Sequence, residues 1–133
     1  FEIIGSIVQD IPLETFDVLE AGDVLFIDST HVMKTASDVT YEFLEILPRL
    51  KPGVVVHIHD IFWPFEYPTR CSLDDNRSWN EIYALRAFLA FNDAFEITFF
   101  SDYFFRFHKD ELVRNAPWLN RNSGGGNIWL RRK

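Results

Sequence analysis

Two unbroken apolar runs, Val24-Leu25-Phe26-Ile27 and Val54-Val55-Val56-His57-Ile58, constrain the fold of this 133-residue chain more than any other feature. Both are short, and turn signals precede them: Gly22-Asp23 before the first and Pro52-Gly53 before the second. Runs of this kind read as strands buried on both faces of a parallel sheet. Each also closes in an acid with histidine beside it. The first ends in Asp28-Ser29-Thr30-His31 and the second in His59-Asp60. Ligands of open α/β sheets bind beyond the carboxyl ends of the strands. Asp28, His31, His59 and Asp60 are therefore expected on one rim, with proton transfer or metal binding within their chemistry.

The rest of the chain alternates in the same style. Phe1 to Val8 reads as a strand, and Gln9-Asp10-Ile11-Pro12 leaves it as a loop. Leu13 to Leu19 reads as a short helical or turn segment. Ser37 or Asp38 can cap a helix in which Val39, Phe43, Ile46, Leu47 and Leu50 follow helical spacing, with Pro48 tightening its last turn and Lys51-Pro52-Gly53 stopping it. Residues 61–77 form a loop longer than most internal connections, and Trp63, Phe65 and Tyr67 suit it to be a lid or substrate wall. Ser78-Trp79-Asn80-Glu81 has the capping-box pattern, with Glu81 placed to bond back to the cap residue, and opens a helix to Phe91. Phe95 to Phe100 reads as a strand, Asp110 to Asn115 as a short helix, Ser123 to Gly126 as a turn, and Asn127 to Arg131 as a final strand. Strand and helix in alternation make a doubly wound α/β pattern.

Composition narrows the partners. A net charge of −7 argues against a nucleic-acid backbone or an anionic membrane as the main partner. No apolar run approaches the ~20 residues needed to span a bilayer. One cysteine, Cys71, excludes an internal disulfide, so a cytoplasmic protein is the expectation. Fourteen Phe and four Trp exceed the needs of one small layer, which leaves aromatics for a partner, a ligand or further chain, and leaves a homo-oligomer open. The chain opens with Phe rather than Met, directly in a strand-like run, and is expected to be a fragment.

Each rim residue has a functional and a plain reading. Asp28, His59 and Asp60 offer two carboxylates and an imidazole, a facial set for Mg²⁺ or another divalent ion. The same acids can simply cap the turns after the strands. His31 can accept a proton from a hydroxyl or be an ordinary loop residue. His57, inside its strand, reads as a hydrogen-bonded core histidine. Trp63 and Tyr67 can contact substrate or pack back on the sheet.

Taken together, Phe26-Ile27-Asp28-Ser29-Thr30-His31, the helix after it, Leu50-Lys51-Pro52-Gly53 and the strand ending His59-Asp60 resemble the second half of a class I S-adenosylmethionine-dependent methyltransferase. The nearest group carries an Asp-x-x-His tip followed by a His-Asp or Asp-Asp tip, and the resemblance runs over nearly the whole chain. It implies a Rossmann-like fold, a three-layer αβα arrangement on a mixed sheet, with residues 1–133 as the C-terminal part of a single methyltransferase domain. The family's acidic-Gly-x-Gly cofactor loop is missing from these residues. On this reading roughly a hundred residues would precede Phe1 in a domain of ordinary size.

The resemblance also implies roles. S-adenosylmethionine would be the cofactor, with Gln9, Asp10 and Asp28 contacting it. His31 stands where some relatives have a general base, and Asp28 beside it is the second catalytic candidate. Asp28, His59 and Asp60 match the positions that hold metal in relatives that use one, although His59 replaces an acid and so favours a softer ion or none. The function implied is O-methyl transfer to a small molecule or sugar hydroxyl. A metal-dependent hydrolase, another enzyme on the same scaffold and a non-catalytic α/β interaction module remain as alternatives.

Overall fold

A computed structural model describes residues 1–118 and 125–133. Four strands form one sheet: β1 (Val24–Ile27), β2 (Val55–His59), β3 (Phe95–Phe100) and β4 (Asn127–Arg132), in the order β1-β2-β4-β3. β1 and β2 are parallel, with Phe26 opposite His57 and Ile27 opposite Ile58. β4 runs antiparallel to both of its neighbours, so β3 shares the direction of β1 and β2. The sheet is therefore mixed, as expected, and the last strand of the chain is inserted between β2 and β3.

One face of the sheet carries the core. Ile27, Val56, Ile58, Ile128, Leu130, Phe95 and Phe100 point to it and are buried against two helical segments. The first occupies residues 38–49. It comprises α2 (Asp38–Tyr41), a π-helical stretch (Glu42–Ile46) and α3 (Leu47–Arg49). Ser37 caps it, its Oγ accepting the Thr40 N–H at 3.2 Å. Pro48 has no N–H to give to the helical ladder. In the turn before it, Leu47 N–H donates to Glu42 O, five residues back, so the proline goes with a widened turn where a tightened one was expected. The second segment is α5 (Glu81–Ala90), with Ile82 and Leu85 fully buried.

Short α1 (Glu14–Asp17) lies beside the first segment, where Arg49 pairs with Asp17 and the Tyr41 hydroxyl donates to Ile11 O. The 61–77 loop contains a helix of its own, α4 (Thr69–Leu73). After β3 the chain forms α6 (Ser101–Phe107) and then α7 (Lys109–Asn115); the first of these was not legible in the sequence.

The other face of the sheet holds Phe26, His57 and Trp129 in register. α6 reaches its margin, with Phe104 against Phe99. Phe26 nonetheless remains 60% exposed. The second helical layer of a three-layer arrangement is thus not found among the described residues.

Phe1 to Val8, expected as a strand, form none: Val8 opens a 3-10 turn, and Phe1, Ile3, Ile4 and Ile7 are exposed. A strand requires a hydrogen-bonded partner as well as apolar side chains. β1 is paired to β2 alone, and the opening segment does not join its free edge. The capping box at Ser78 is also absent. α5 starts from Asn80 with no side-chain cap, for a reason that lies in the site below. Of the expected turn at 123–126, Ser123 and Gly124 lie outside the described residues. Among the described residues, no helix is long and apolar enough to cross a membrane.

Candidate active site

Because β1 and β2 are adjacent and parallel, their carboxyl ends emerge side by side, and Asp28 and Asp60 follow them directly. The backbone then turns sharply at both places. His31 has φ 59° and Asp60 φ 53°, a region that non-glycine residues rarely enter. The His31 turn is held from α5: its carbonyl accepts the N–H of Asn80 at 2.9 Å and of Glu81 at 3.1 Å. Asn80 adds two side-chain bonds to Met33, accepting its N–H at 2.6 Å and donating to its carbonyl at 3.2 Å. These tertiary bonds replace the local capping box.

The result is a buried imidazole among carboxylates. His31 Nδ1 lies 2.7 Å from Glu81 Oε2, and Glu81 is fully buried. On the opposite side of the ring, Nε2 lies 3.5 Å from Asp28 Oδ1 and 3.7 Å from Asp60 Oδ2. Trp79 covers one face of the ring at 4.3 Å between centroids, and the Arg77 guanidinium sits over Trp79 in turn.

Burial draws the His31 pKa down, but the Glu81 hydrogen bond and the charges of Glu81, Asp60 and Asp28 outweigh it and leave the pKa raised. Burial also raises the Glu81 carboxyl, with the His31 contact opposing it. A third buried acid stands nearby: burial, and then the charge of Glu81, push Glu42 up to about 7.

Beside this cluster opens a cleft of about 500 Å³, lined by Ile7, Val8, Gln9, Asp28, Ser29 and Glu42 among others. Gln9 Nε2 donates to Ala36 O at 2.9 Å across it. Ser29 Oγ and Glu42 Oε2 are buried in its wall without a hydrogen-bond partner. Asp10 is exposed and not part of the lining.

The sequence-predicted residues thus divide. Asp28, His31 and Asp60 come together, and Gln9 and Asp28 share the cleft. His59 turns away: its ring stacks on His57 at 5.7 Å, and its Nε2 approaches Asp60 only to 3.9 Å. Asp60 faces His31 because of its left-handed backbone. Asp28, His59 and Asp60 consequently do not converge, and no group of three ligating side chains among the described residues could hold a metal ion. A metal does not fit here.

Trp63 packs against Phe100, Tyr103 and Phe107, and its N–H donates to Asp102 Oδ2 at 2.9 Å. Tyr67 is buried, its ring against Trp79 and its hydroxyl accepting the Ile82 N–H at 3.3 Å. Both therefore serve packing in this structure, and the Tyr67 hydroxyl is already engaged. His57 is buried between Phe26 and Trp129, with Nδ1 unpartnered and Nε2 3.5 Å from His59 Nδ1. Burial, then the neighbouring His59, lowers its pKa.

Glu42 is not singled out in the sequence, and Glu81 reads there only as a capping-box residue. The signal was a carboxylate within each helix's apolar stripe: Glu81 is spaced with Leu85 and Phe88, and Glu42 with Val39 and Ile46.

Residues 2–61, from the opening segment through β1, the 38–49 helix and β2 to just past Asp60, match the family model described as a methyltransferase domain. No curated protein matches the chain. No solved structure matches it either. The mixed sheet and the matched segment agree, and this N-terminal part of the chain is similar to a methyltransferase domain.

Proposed function

We propose that this chain carries the acceptor side of an O-methyltransferase acting on a small-molecule hydroxyl, with His31 as general base. The observation that supports it is the His31 ring. It is buried, tied at Nδ1, and its Nε2 is turned toward Asp28 and Asp60 at the strand-end rim.

The cleft beside the rim suits S-adenosylmethionine. Ile7 and Val8 offer apolar wall, while Gln9, Ser29 and Glu42 offer polar atoms, two of them buried and unpartnered. When bound, the cofactor supplies an electrophilic methyl group. The protein's own contribution is the proton. His31 Nε2 takes it from the acceptor hydroxyl, and the imidazolium that results faces two carboxylates. Asp28 and Asp60 favour that charged state by proximity.

The test uses the longest natural form of the protein with tritiated methyl donor and a panel of phenols and sugars. His31→Ala is expected to lower transfer on the order of 10²–10⁴-fold, while S-adenosylhomocysteine binds as in the wild type by calorimetry. Unchanged transfer removes His31 as base. If the wild type shows neither transfer nor S-adenosylhomocysteine binding, the methyl-transfer reading itself falls.

A further inference from the structure

We propose that Glu81 is the positioning residue of this site: its carboxylate holds the Nδ1 proton of His31, fixes that tautomer, and so leaves Nε2 as the free base. The inference deepens the reading of His31 above and rests on it for its meaning in catalysis, but the hold on the ring can be measured without turnover.

The geometry argues it in three steps. A neutral imidazole has one N–H and one bare nitrogen, and the partner of the first decides which nitrogen can accept a proton. Glu81 Oε2 lies 2.7 Å from Nδ1. The oxygens near Nε2 are at 3.5 and 3.7 Å, beyond good hydrogen-bond range. The stronger acceptor is thus on the Nδ1 side, and the proton belongs there.

Glu81 is also poorly explained as a structural residue alone. It is fully buried, and its Oε1 has no hydrogen-bond partner. Burying a carboxylate costs several kcal/mol unless its contacts offset that cost. The one side-chain bond it makes is to His31. Its backbone is recruited to the same end, since its N–H and that of Asn80 both hold the His31 carbonyl. Ring and backbone of one residue are therefore fixed by a single helix start, fifty residues further along the chain.

The charged groups facing His31 are Glu81 from α5, Asp28 after β1 and Asp60 after β2, with Glu42 of the 38–49 helix close by. Removing Glu81's charge leaves burial opposed by fewer carboxylates, so the imidazole becomes less basic.

Nitrogen NMR of the His31 ring tests this in the longest natural form of the protein. The wild type is expected to show the Nδ1–H tautomer with the ring titrating above the ordinary 6.5. Glu81→Gln, nearly isosteric, and Glu81→Leu, which suits an apolar neighbourhood if the amide disturbs folding, are both expected to move that titration to lower pH. The acid limb of transfer should move with it, and transfer should fall by on the order of 10–10⁴-fold. An Nε2–H tautomer in the wild type overturns the proposal. So does an unmoved titration in a folded variant, because a merely structural glutamate would change stability and leave the ring's titration in place. A titration that moves in Glu81→Gln, with transfer unaffected by His31→Ala, leaves Glu81's hold on the ring established and overturns only the base reading.

Discussion

Glu42 makes the structure's electrostatics measurable without any ligand. Glu42 is 7% exposed on the 38–49 helix, and Glu81 adds a second negative charge nearby. These factors raise it from the ordinary 4.5 to about 7. For an acid whose folded pKa is the higher one, the folded state binds more protons. Stability is then unpenalised below the unfolded pKa, falls as pH rises through the interval, and carries the full penalty above the folded pKa. At 1.36 kcal/mol per unit the full penalty is about 3 kcal/mol, and about 2.5 kcal/mol of it develops between pH 5 and pH 8. Glu42→Gln cannot ionise and should escape it. Urea denaturation followed by circular dichroism at both pH values should show the variant gaining about 2.5 kcal/mol on the wild type from pH 5 to pH 8. The amide's own cost shifts both measurements equally and drops out of that difference. A difference between variant and wild type that is the same at both pH values refutes the argument, because the carboxyl would then be ionising as freely in the folded chain as in the unfolded one.

Two smaller predictions concern the frame around the site. Gly53 adopts φ 89°, and a Cβ there would lie 2.5 Å from that of Ala21, so Gly53→Ala should cost about 2 kcal/mol or more in denaturant titration; an unchanged midpoint would contradict the turn as described. Tyr67→Phe removes the acceptor of the Ile82 N–H while keeping the ring, and should cost about 1–2 kcal/mol, whereas a neutral result would mean that water satisfies that N–H equally well.

The parts legible in the sequence were those governed by local pattern. β1, β2 and the parallel relation between them follow from unbroken apolar runs with a helix in between, and that relation is enough to bring Asp28 and Asp60 together. The helical spacing of Val39, Phe43 and Ile46 likewise gave a buried helix. What escaped depended on partners distant in the chain. The opening segment looks like a strand by composition, yet pairs with nothing among the described residues. Ser78-x-x-Glu81 looks like a capping box, but the His31 carbonyl captures the N–H groups of Asn80 and Glu81, and the His31 ring captures the Glu81 carboxylate. A local motif loses when a tertiary acceptor satisfies the same donors and a buried acid gains a basic partner. His59 sits apart from His31 for a simpler reason: residues alternate across a strand, so it lies with His57 on one side, while Asp60 escapes the alternation through its positive φ.

Several unfavourable features of this molecule meet at the sheet rim, although left-handed Ala36, Phe65 and Asn76 lie outside that cluster. His31 and Asp60, two residues in left-handed backbone, contact each other at the sheet rim. Glu81 and Glu42, two buried acids with raised pKa values, stand close to that same imidazole, and each has an oxygen without a hydrogen-bond partner. Backbone in the left-handed region costs on the order of 1–3 kcal/mol per residue, and buried carboxyl groups cost more. A scaffold needing only to close a β-α-β unit would fill the helix stripe with leucine rather than with buried glutamates. Buried charge concentrated around one histidine is what a site for proton transfer requires, since the ring must be held in one tautomer and its charged form stabilised. The same concentration implies a trade between stability and activity at this place. Substitutions that relieve Glu42 should stabilise the fold, while those that relieve Glu81 should free the ring it holds.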